Sequence, residues 1–328
     1  MFAFTSRGVR YNFVSLGNGA GLYKRVDEFE EALKSADEEP TFGSITPLLR
    51  EGNTGGDTFY YDELTGDHIN SVGLANRGWR RYKQMRLVQK LIMLAKQYGK
   101  KIRISVSAFS PDGYIRVVRE IADIIVRFDA HELVTIEINF SCPNVVDAAG
   151  HHHTITAYDP GLVMHIITGL LWTINKVGGG KRLVQLAFKF SPYNYSDTRE
   201  LSIPRLLCND LNYATRLYKG PVEVVLCNTI GGQNMFKQDG SPALGVTNNV
   251  GGKGGKSLKP RSIENVTYFR NHLDERIGIV GVGGATCGED IFDYAVAGAY
   301  KVQSTGYVAK FGLKVFGEMY AEVIPMAA

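Results

Sequence analysis

The strongest constraint on this chain of 328 residues is a regular alternation of strand-like and helical segments along most of its length. Runs rich in β-branched and aromatic residues recur with helical patterns between them, which is typical of parallel βα units. Strands are predicted at Asn12–Leu16, Thr41–Ile45, Ile102–Ser107, Val134–Phe140, Val184–Phe190, Val222–Cys227, Ile277–Val282 and Lys301–Ser304. These eight units predict a (β/α)8 barrel of the α/β class, with residues 1–328 forming a single domain.

Helices are predicted at Val26–Ser35, Trp79–Tyr98, Tyr114–Phe128, Gly161–Val177, Asp197–Leu217, Ser262–Leu273 and Glu289–Ala297, with a last helix from about Leu313. The stretch 47–78 is too polar and glycine-rich to be a barrel helix. We interpret it as an insertion that crosses the C-terminal ends of the strands, where barrels of this kind carry their functional residues. A two-domain division would need a linker or a break in composition, and the sequence offers neither.

Composition narrows the classes of function. The chain is 44% hydrophobic and carries a net charge of +4 without a basic cluster, which argues against nucleic-acid binding and suits an anionic substrate and a phosphorylated cofactor. Four widely spaced cysteines lack metal spacing and are expected to be reduced thiols. No signal peptide is expected in residues 1–10 and no membrane span in 161–174, so we expect a soluble, cytoplasmic protein.

Residues 137–144, Glu-Ile-Asn-Phe-Ser-Cys-Pro-Asn, carry the clearest chemical signal. The preceding residues alternate as in a strand that Pro143 ends, so Asn139, Cys142 and Asn144 meet at its C-terminal end. A thiol there is a candidate acid–base group, and the two carboxamides can bind the alternating N–H and C=O groups of a cyclic imide or pyrimidine. The alternatives are that Cys142 is a small half-buried residue and that Asn144 closes an Asx-turn.

Glycine-rich segments in the late βα connections are candidates for phosphate binding: 251–255, Gly283-Gly284 and Thr305-Gly306. Ordinary turns are the alternative explanation. No GxGxxG opens a helix after an early strand, so a dinucleotide-binding fold is not predicted. Lys189 ends the fifth predicted strand among apolar residues and needs a partner, which is either a ligand or a barrel carboxylate.

Together these segments resemble the dihydroorotate dehydrogenase family. Residues 137–144 are similar to the family's active-site loop in the form with Cys as the base. Residues 70–76, Asn-Ser-Val-Gly-Leu-Ala-Asn, resemble its Asn-Ser-Met-Gly-Leu-Pro-Asn substrate loop, and 227–231, Cys-Asn-Thr-Ile-Gly, resemble its Asn-Ser/Thr-Ile-Gly turn. The glycine segments follow in the family's order, so the resemblance extends from about Gly17 to Gly312.

The resemblance implies an FMN-dependent oxidoreductase that converts (S)-dihydroorotate to orotate in pyrimidine (UMP) biosynthesis, with Cys142 as the base. It implies substrate binding by Lys24, Asn70, Ser71, Gly73, Leu74, Asn139, Asn144, Asn228 and Thr229. It implies cofactor binding by Ala20, Gly21, Ser44, Asn139, Lys189, Cys227, Gly255, Gly283, Gly284, Thr305 and Gly306. In the family, the lysine at the position of Lys189 lies at the pyrimidine edge of the flavin. No metal site is expected.

The chain combines features of two classes of the family. Residues 19–24 and 41–47 resemble the membrane-linked class, whereas the soluble class carries a Lys where Gly43 stands; Lys24 is therefore expected to supply the cation for the substrate carboxylate. The extra N-terminal helices through which the membrane-linked class passes electrons to quinone have no counterpart. After the catalytic loop, 145–153 replaces the soluble class's Pro-Gly-Lys-Pro-Gln. Its three histidines, 151–153, are expected in a solvated loop rather than at a metal.

Two other functions stay open at this stage. One is a flavin barrel that acts on another pyrimidine, as in dihydropyrimidine dehydrogenases, and the other is a non-catalytic barrel subunit. The electron acceptor is also open among fumarate, a nicotinamide through a separate iron–sulfur flavoprotein subunit, and quinone. A homodimer is the family's usual assembly and is our expectation here.

Overall fold

The structure is a computed structural model that describes residues 2–6, 9–13, 15–145, 154–180 and 183–326. Its strands are β1 (Phe2–Ser6), β2 (Val9–Phe13), β3 (Ser15–Asn18), β4 (Thr41–Ile45), β5 (Phe59–Asp62), β6 (Asp67–Asn70), β7 (Ile102–Val106), β8 (Val134–Asn139), β9 (Gln185–Lys189), β10 (Val222–Leu226), β11 (Ile230–Asn234), β12 (Val250–Gly255), β13 (Ile277–Val282) and β14 (Lys301–Ser304). Its α-helices are α1 (Val26–Lys34), α2 (Gly78–Gln84), α3 (Leu87–Tyr98), α4 (Pro111–Arg127), α5 (Pro160–Ile174), α6 (Ser202–Leu217), α7 (Lys259–His272), α8 (Gly288–Ala297), α9 (Gly306–Phe311) and α10 (Lys314–Met326).

Eight parallel strands form the barrel, in the order β3-β14-β13-β10-β9-β8-β7-β4. The seam between the first and last of these strands is held by Asn18 and Thr41. The Thr41 amide donates to Asn18 Oδ1 at 2.7 Å, Asn18 Nδ2 donates to the Thr41 carbonyl at 3.1 Å, and Thr41 Oγ1 donates to the Asn18 carbonyl at 2.8 Å. The predicted (β/α)8 barrel is therefore confirmed.

Seven predicted strands agree with barrel strands to within one residue at each end, but the first does not. The prediction of Asn12–Leu16 is wrong because Val9–Phe13 pairs antiparallel with Phe2–Ser6, and the barrel strand begins only at Ser15. Alternation of side chains is the same in a hairpin strand and in a barrel strand. The sequence pattern alone therefore could not say which partner this segment takes.

The helices follow the predicted order, with changes at their ends. The predicted helix Trp79–Tyr98 is two helices, because Arg86 adopts a left-handed φ of 53° between them. The prediction that a helix starts at Asp197 is also wrong: Asp197 accepts hydrogen bonds from the Arg199 backbone and side chain in a turn, and α6 starts at Ser202. In the described part of the chain, no helix combines the length and apolar character needed to cross a bilayer.

The stretch 47–78 contributes to a small antiparallel sheet, as an insertion over the strand ends would. The order of this sheet is β11-β12-β6-β5, so that residues 67–70 pair directly with residues 252–255. The glycine-rich run 251–255 lies in the predicted connection after β10, but it forms strand β12 rather than a loop. This pairing carries Asn70 to the C-terminal ends of the barrel strands.

A cluster of buried charges fills the barrel near the N-terminal ends of its strands. Arg103, which has no solvent exposure, lies 3.2 Å from Glu39 and 2.7 Å from Glu223. Lys301 lies 2.8 Å and 2.9 Å from the same two carboxylates. Burial opposes ionisation of Glu223, but Arg103 and Lys301 lower its pKa to about 2. The cluster is therefore charged at neutral pH.

Small apolar side chains on β9, β10 and β13 form a further buried cluster in the barrel. It consists of Ala187, Val225, Val280 and Val282. The interior is thus closed at its base by ion pairs and packed in its middle by short side chains. The described residues leave a cavity for a ligand at the C-terminal mouth.

We expect Arg103→Met to lower the free energy of unfolding by about 3–5 kcal/mol, because it leaves the buried carboxylates of Glu39 and Glu223 to share the single positive charge of Lys301. Urea unfolding followed by circular dichroism measures the effect. The matched control is Arg276→Met, whose pair with Asp274 is solvent-exposed and should contribute less than about 1 kcal/mol. Equal, small losses in both variants would contradict this account of the barrel core.

Candidate active site

A cavity opens at the C-terminal mouth of the barrel, below strands β6 and β12 of the small sheet. All but one of the residues predicted to bind substrate or cofactor line it, namely Ala20, Gly21, Lys24, Ser44, Asn70, Gly73, Leu74, Asn139, Cys142, Asn144, Lys189, Cys227, Asn228, Thr229, Gly255, Gly283, Gly284, Thr305 and Gly306. The fold therefore brings these residues to one place. Their individual contacts with ligands stay predictions.

Ser71 is the exception, because it lies behind the cavity wall rather than on it. Its side chain is fully buried, and its hydroxyl accepts hydrogen bonds from Asn53 Nδ2 at 3.0 Å and Thr247 Oγ1 at 3.0 Å. These contacts connect the loop after β6 to Asn53 and to the segment before β12. In this structure Ser71 supports the wall that carries Asn70 and Gly73.

Cys142 is a half-buried residue of the cavity wall, directly after the end of β8. Burial raises the pKa of its thiol above the ordinary value, while hydrogen bonding by the Asn144 backbone and the positive charges of Lys189, Lys24 and Arg50 act in the opposite direction. The thiol is therefore largely protonated at neutral pH. As a base it becomes more effective as the pH rises.

The four asparagines of the cavity form two hydrogen-bonded pairs. Asn144 Nδ2 donates to Asn70 Oδ1 at 2.7 Å, and Asn70 Nδ2 donates to the carbonyl of Gly252 at 3.3 Å. Asn228 Nδ2 donates to Asn139 Oδ1 at 3.4 Å. Oδ1 of Asn144 is buried and has no partner in the described part of the chain, which leaves an acceptor for a ligand N–H group.

A chain of hydrogen bonds connects Asn139 to the buried charges of the barrel. Asn139 Nδ2 donates to Ser44 Oγ at 3.2 Å, and Ser44 Oγ lies 2.9 Å from Ser105 Oγ. Ser105 Oγ donates in turn to Glu137 Oε1 at 3.1 Å, and Oε2 of Glu137 lies 3.8 Å from Arg103. This chain of hydrogen bonds fixes the orientation of the Asn139 carboxamide, because the serine and glutamate side chains that form it are themselves immobilised.

Two lysines supply positive charge to the cavity. Lys189 is 4% exposed, and no carboxylate of the described residues lies within ion-pair distance of it, so these residues do not support the structural ion pair considered from the sequence. Lys24 also lines the cavity, and burial lowers its pKa, with the opposing influence of Cys142 and Glu28. Both ammonium groups are available to an anionic ligand.

The backbone at Gly43 favours glycine over the lysine that the soluble class carries at this position. Gly43 has a φ of +114°, which favours glycine, and an added Cβ would lie only 2.6 Å from the carbonyl oxygen of Ser105. A lysine side chain at this position would require the strand to move. Lys24, on the loop after β3, reaches the same cavity without that strain.

The wall formed by the late loops fits a phosphate group. The backbone N–H groups of Gly284 and Gly306 donate to no acceptor in the described segments, although both residues line the cavity. A Cβ on Gly284 would lie 2.5 Å from the carbonyl of Gly255, so the two segments approach as closely as glycines allow. Unpaired amides on closely packed glycine backbone are a typical setting for anion binding.

Sequence analysis missed several residues of this wall, His68 and Tyr61 among them. A signal for His68 was present, because it lies two residues before Asn70, and alternate residues of a strand face the same side. Ile69, between them, faces the opposite side and is fully buried beneath the small sheet. The histidines 151–153 lie outside the described residues.

Fold and cavity define a (β/α)8 barrel with a candidate active site at its C-terminal mouth. A sequence profile of dihydroorotate dehydrogenase matches residues 5–326. The chain belongs to the dihydroorotate dehydrogenase family, as the resemblance of its motifs predicts.

Individual relatives agree with this assignment. The chain is 28% identical over 311 residues to a probable dihydroorotate dehydrogenase A (fumarate) of Streptococcus pneumoniae, covering 94% of this chain and 88% of that protein. It is 27% identical over 318 residues to a dihydroorotate dehydrogenase (fumarate) of Lachancea kluyveri, covering 93% and 87%. The crystal structure of the dihydroorotate dehydrogenase of Eimeria tenella in complex with ferulenol has the same fold, with a TM-score of 0.74 at 16% identity over 99% of this chain and 84% of that one.

We expect Lys24→Met to raise the pKa of Cys142 further, because it removes one of the charges that favour the thiolate. The measurement is the rate of alkylation by iodoacetamide between neutral and alkaline pH, with the rate of Cys142→Ser subtracted to remove the other thiols. The midpoint of the profile should move to higher pH. The control is Lys90→Met, an exposed residue of α3. An unchanged midpoint in Lys24→Met would show that Lys24 does not act on the thiol.

Proposed function

We propose that this protein oxidises (S)-dihydroorotate to orotate in de novo pyrimidine biosynthesis, with FMN as its cofactor and Cys142 as the catalytic base. The observation that carries the proposal is the convergence of a thiol, four carboxamides and two lysines on one cavity of the barrel. Membership of the dihydroorotate dehydrogenase family and the named activity of the relatives support it.

The polar groups of the cavity are complementary to a carboxylated dihydropyrimidine. The unpartnered Oδ1 of Asn144 accepts a ring N–H, and the amide hydrogens of Asn70 and Asn228 donate to ring carbonyls. Lys24 neutralises the carboxylate. A pyrimidine without the carboxylate leaves Lys24 unpaired in a partly buried position, so the site discriminates against it.

Cys142 performs the proton transfer. Its thiolate removes the proton from the ring carbon next to the carbonyl, which is the more acidic of the two carbons that become double-bonded. The Sγ atom carries this proton until it passes to solvent. Asn139 and Asn144, on either side of Cys142 in the chain, hold the ring so that this carbon faces the sulfur.

The cofactor would be held by the remaining residues of the cavity. Gly255, Gly283, Gly284 and Gly306 would surround its phosphate, and Lys189 would lie at the pyrimidine edge of its ring, where a cation stabilises negative charge. When bound, FMN supplies the two-electron acceptor that takes the hydride from the neighbouring ring carbon. The unpaired amides of the glycine wall and the unpaired Lys189 are the features of this chain that fit it.

We further propose that the protein acts in the cytoplasm as a homodimer and passes its electrons to fumarate. The similarity to relatives named for fumarate supports the choice of acceptor. The absence of a membrane-spanning helix among the described residues agrees with this choice.

The first test is the absorption spectrum of the purified protein. We expect stoichiometric FMN whose visible band is bleached by anaerobic dihydroorotate and restored by fumarate, whereas dihydrouracil, which lacks the carboxylate, should bleach it far more slowly. Faster bleaching by dihydrouracil would assign the site to another pyrimidine. A protein without flavin would contradict the enzymatic function.

The second test is Cys142→Ser. Loss of the base should lower turnover of dihydroorotate by about 10²–10⁴-fold at pH 8, while FMN content stays that of the wild type. Wild-type turnover should rise with pH through the neutral range, because the pKa of the thiol is raised by burial. The control is Cys287→Ser at the N-terminus of α8, which should change neither property. Unchanged turnover in Cys142→Ser would remove Cys142 from the mechanism.

A further inference from the structure

His68 is held in an unusually close-fitting position on the cavity wall. Its ring lies between two glycines: a Cβ on Gly306 would be 2.2 Å from Nδ1, and a Cβ on Gly254 would be 2.7 Å from Cε1. It stacks on Tyr61, with ring centroids 6.4 Å apart and planes 6° from parallel. The residue is only 8% exposed. Both glycines are therefore necessary for the ring to occupy this place.

Nδ1 of His68 is buried and has no hydrogen-bond partner in the part of the chain that the structure describes. Buried polar atoms are nearly always paired, so an unpaired one on a cavity wall points to a ligand. The same wall carries the unpaired amides of Gly306 and Gly284. His68, Gly306 and Gly284 thus bring to one wall of the cavity three nitrogens that have no partner among the described residues, in a setting that suits a tetrahedral anion.

We propose that His68 binds the phosphate of the flavin cofactor through Nδ1, and that binding of the phosphate adds a proton to this histidine. The inference rests on the proposed function, since it takes FMN as the ligand. It adds to the glycine amides a side chain that can change its charge. The ligand class is a phosphate monoester, and riboflavin, which lacks the phosphate, should not use His68.

The electrostatic surroundings explain why the proton arrives with the ligand. Burial lowers the pKa of His68 to about 4, with Asp67 acting in the opposite direction, so the ring is neutral at pH 7 before phosphate binds. The charge of Asp67 is already balanced by Lys253, 2.9 Å away. A phosphate dianion beside Nδ1 would stabilise the charged ring and raise its pKa.

The other titratable groups near His68 do not supply this charge change. Tyr61, which stacks on the ring, has its pKa raised by burial to about 12 and stays neutral. Burial also raises the pKa of Tyr307 on α9. On the same helix, Lys310 forms an ion pair with Glu63 at 2.8 Å. The side chain of Lys256, which precedes α7, lies against Gly66. Of these groups, His68 is therefore the one whose charge can change between pH 6 and 8 when phosphate binds.

The test compares FMN with riboflavin on His68→Phe, which keeps an aromatic ring between the two glycines. The cofactor is removed, each flavin is added back, and the dissociation constant is measured from flavin fluorescence. We expect FMN affinity to fall by about 10- to 100-fold and riboflavin affinity to stay within about twofold. His165→Phe, an exposed residue of α5, is the matched control.

The second readout is the pH dependence of FMN affinity. The phosphate itself titrates with a second pKa of about 6, so the profile of His68→Phe reports that contribution alone. Between pH 8 and 6 the wild-type affinity should improve relative to His68→Phe. His68→Gln retains a hydrogen-bond donor but cannot change charge, so it should recover part of the affinity at pH 8 without the pH dependence.

The outcomes separate this inference from the proposed function. Equal loss of FMN and riboflavin in His68→Phe would show a merely structural role, and unchanged affinity for both would show no role; either result overturns the inference while the enzyme stays a flavoprotein. Wild-type protein that binds neither flavin would overturn the proposed function and the inference with it.

Discussion

The ion pairs of Arg103 with Glu39 and Glu223 are the interaction on which the rest of the barrel depends. Charges buried this deeply are tolerated only when opposite charges lie beside them. Together with Lys301, these ion pairs connect four strands or their flanking segments. The cluster also closes the base of the barrel. With the base closed and the middle packed by short apolar side chains, the C-terminal mouth is the place where a ligand can be accommodated.

Serine hydroxyl groups connect the buried charges at the base of the barrel to the site. Glu137 touches Arg103 on one side and Ser105 on the other, and the chain continues through Ser44 to the carboxamide of Asn139. These hydrogen bonds fix the orientation of the Asn139 carboxamide, so that its remaining donor and acceptor positions point in one direction. Discrimination between pyrimidines requires donors and acceptors that are fixed in this way. The strand that carries Glu137 and Asn139 leads directly into the segment that carries Cys142, so the proposed base and the groups that orient the ring share one support.

The upper wall of the site is built differently, because it depends on pairing between distant segments. Strand β6 lies against β12, and this contact places Asn70 beside Asn144 and His68 between Gly254 and Gly306. The proposed phosphate wall therefore combines residues that are about 240 positions apart in sequence.

The sequence by itself determined the barrel and seven of its strands, because alternation of side chains and the strand-ending effect of Pro143 are local properties of the chain. Its motifs, through their resemblance to a family, also indicated nineteen of the residues that line the cavity. Only the tertiary structure decided the partner of Val9–Phe13, the formation of a strand by residues 250–255 and the exclusion of Ser71 from the cavity. It alone also placed His68, whose neighbours Gly254 and Gly306 are remote in sequence. Pairing between distant segments is selected by register and by packing of the whole fold, and these are not encoded in any short stretch of residues.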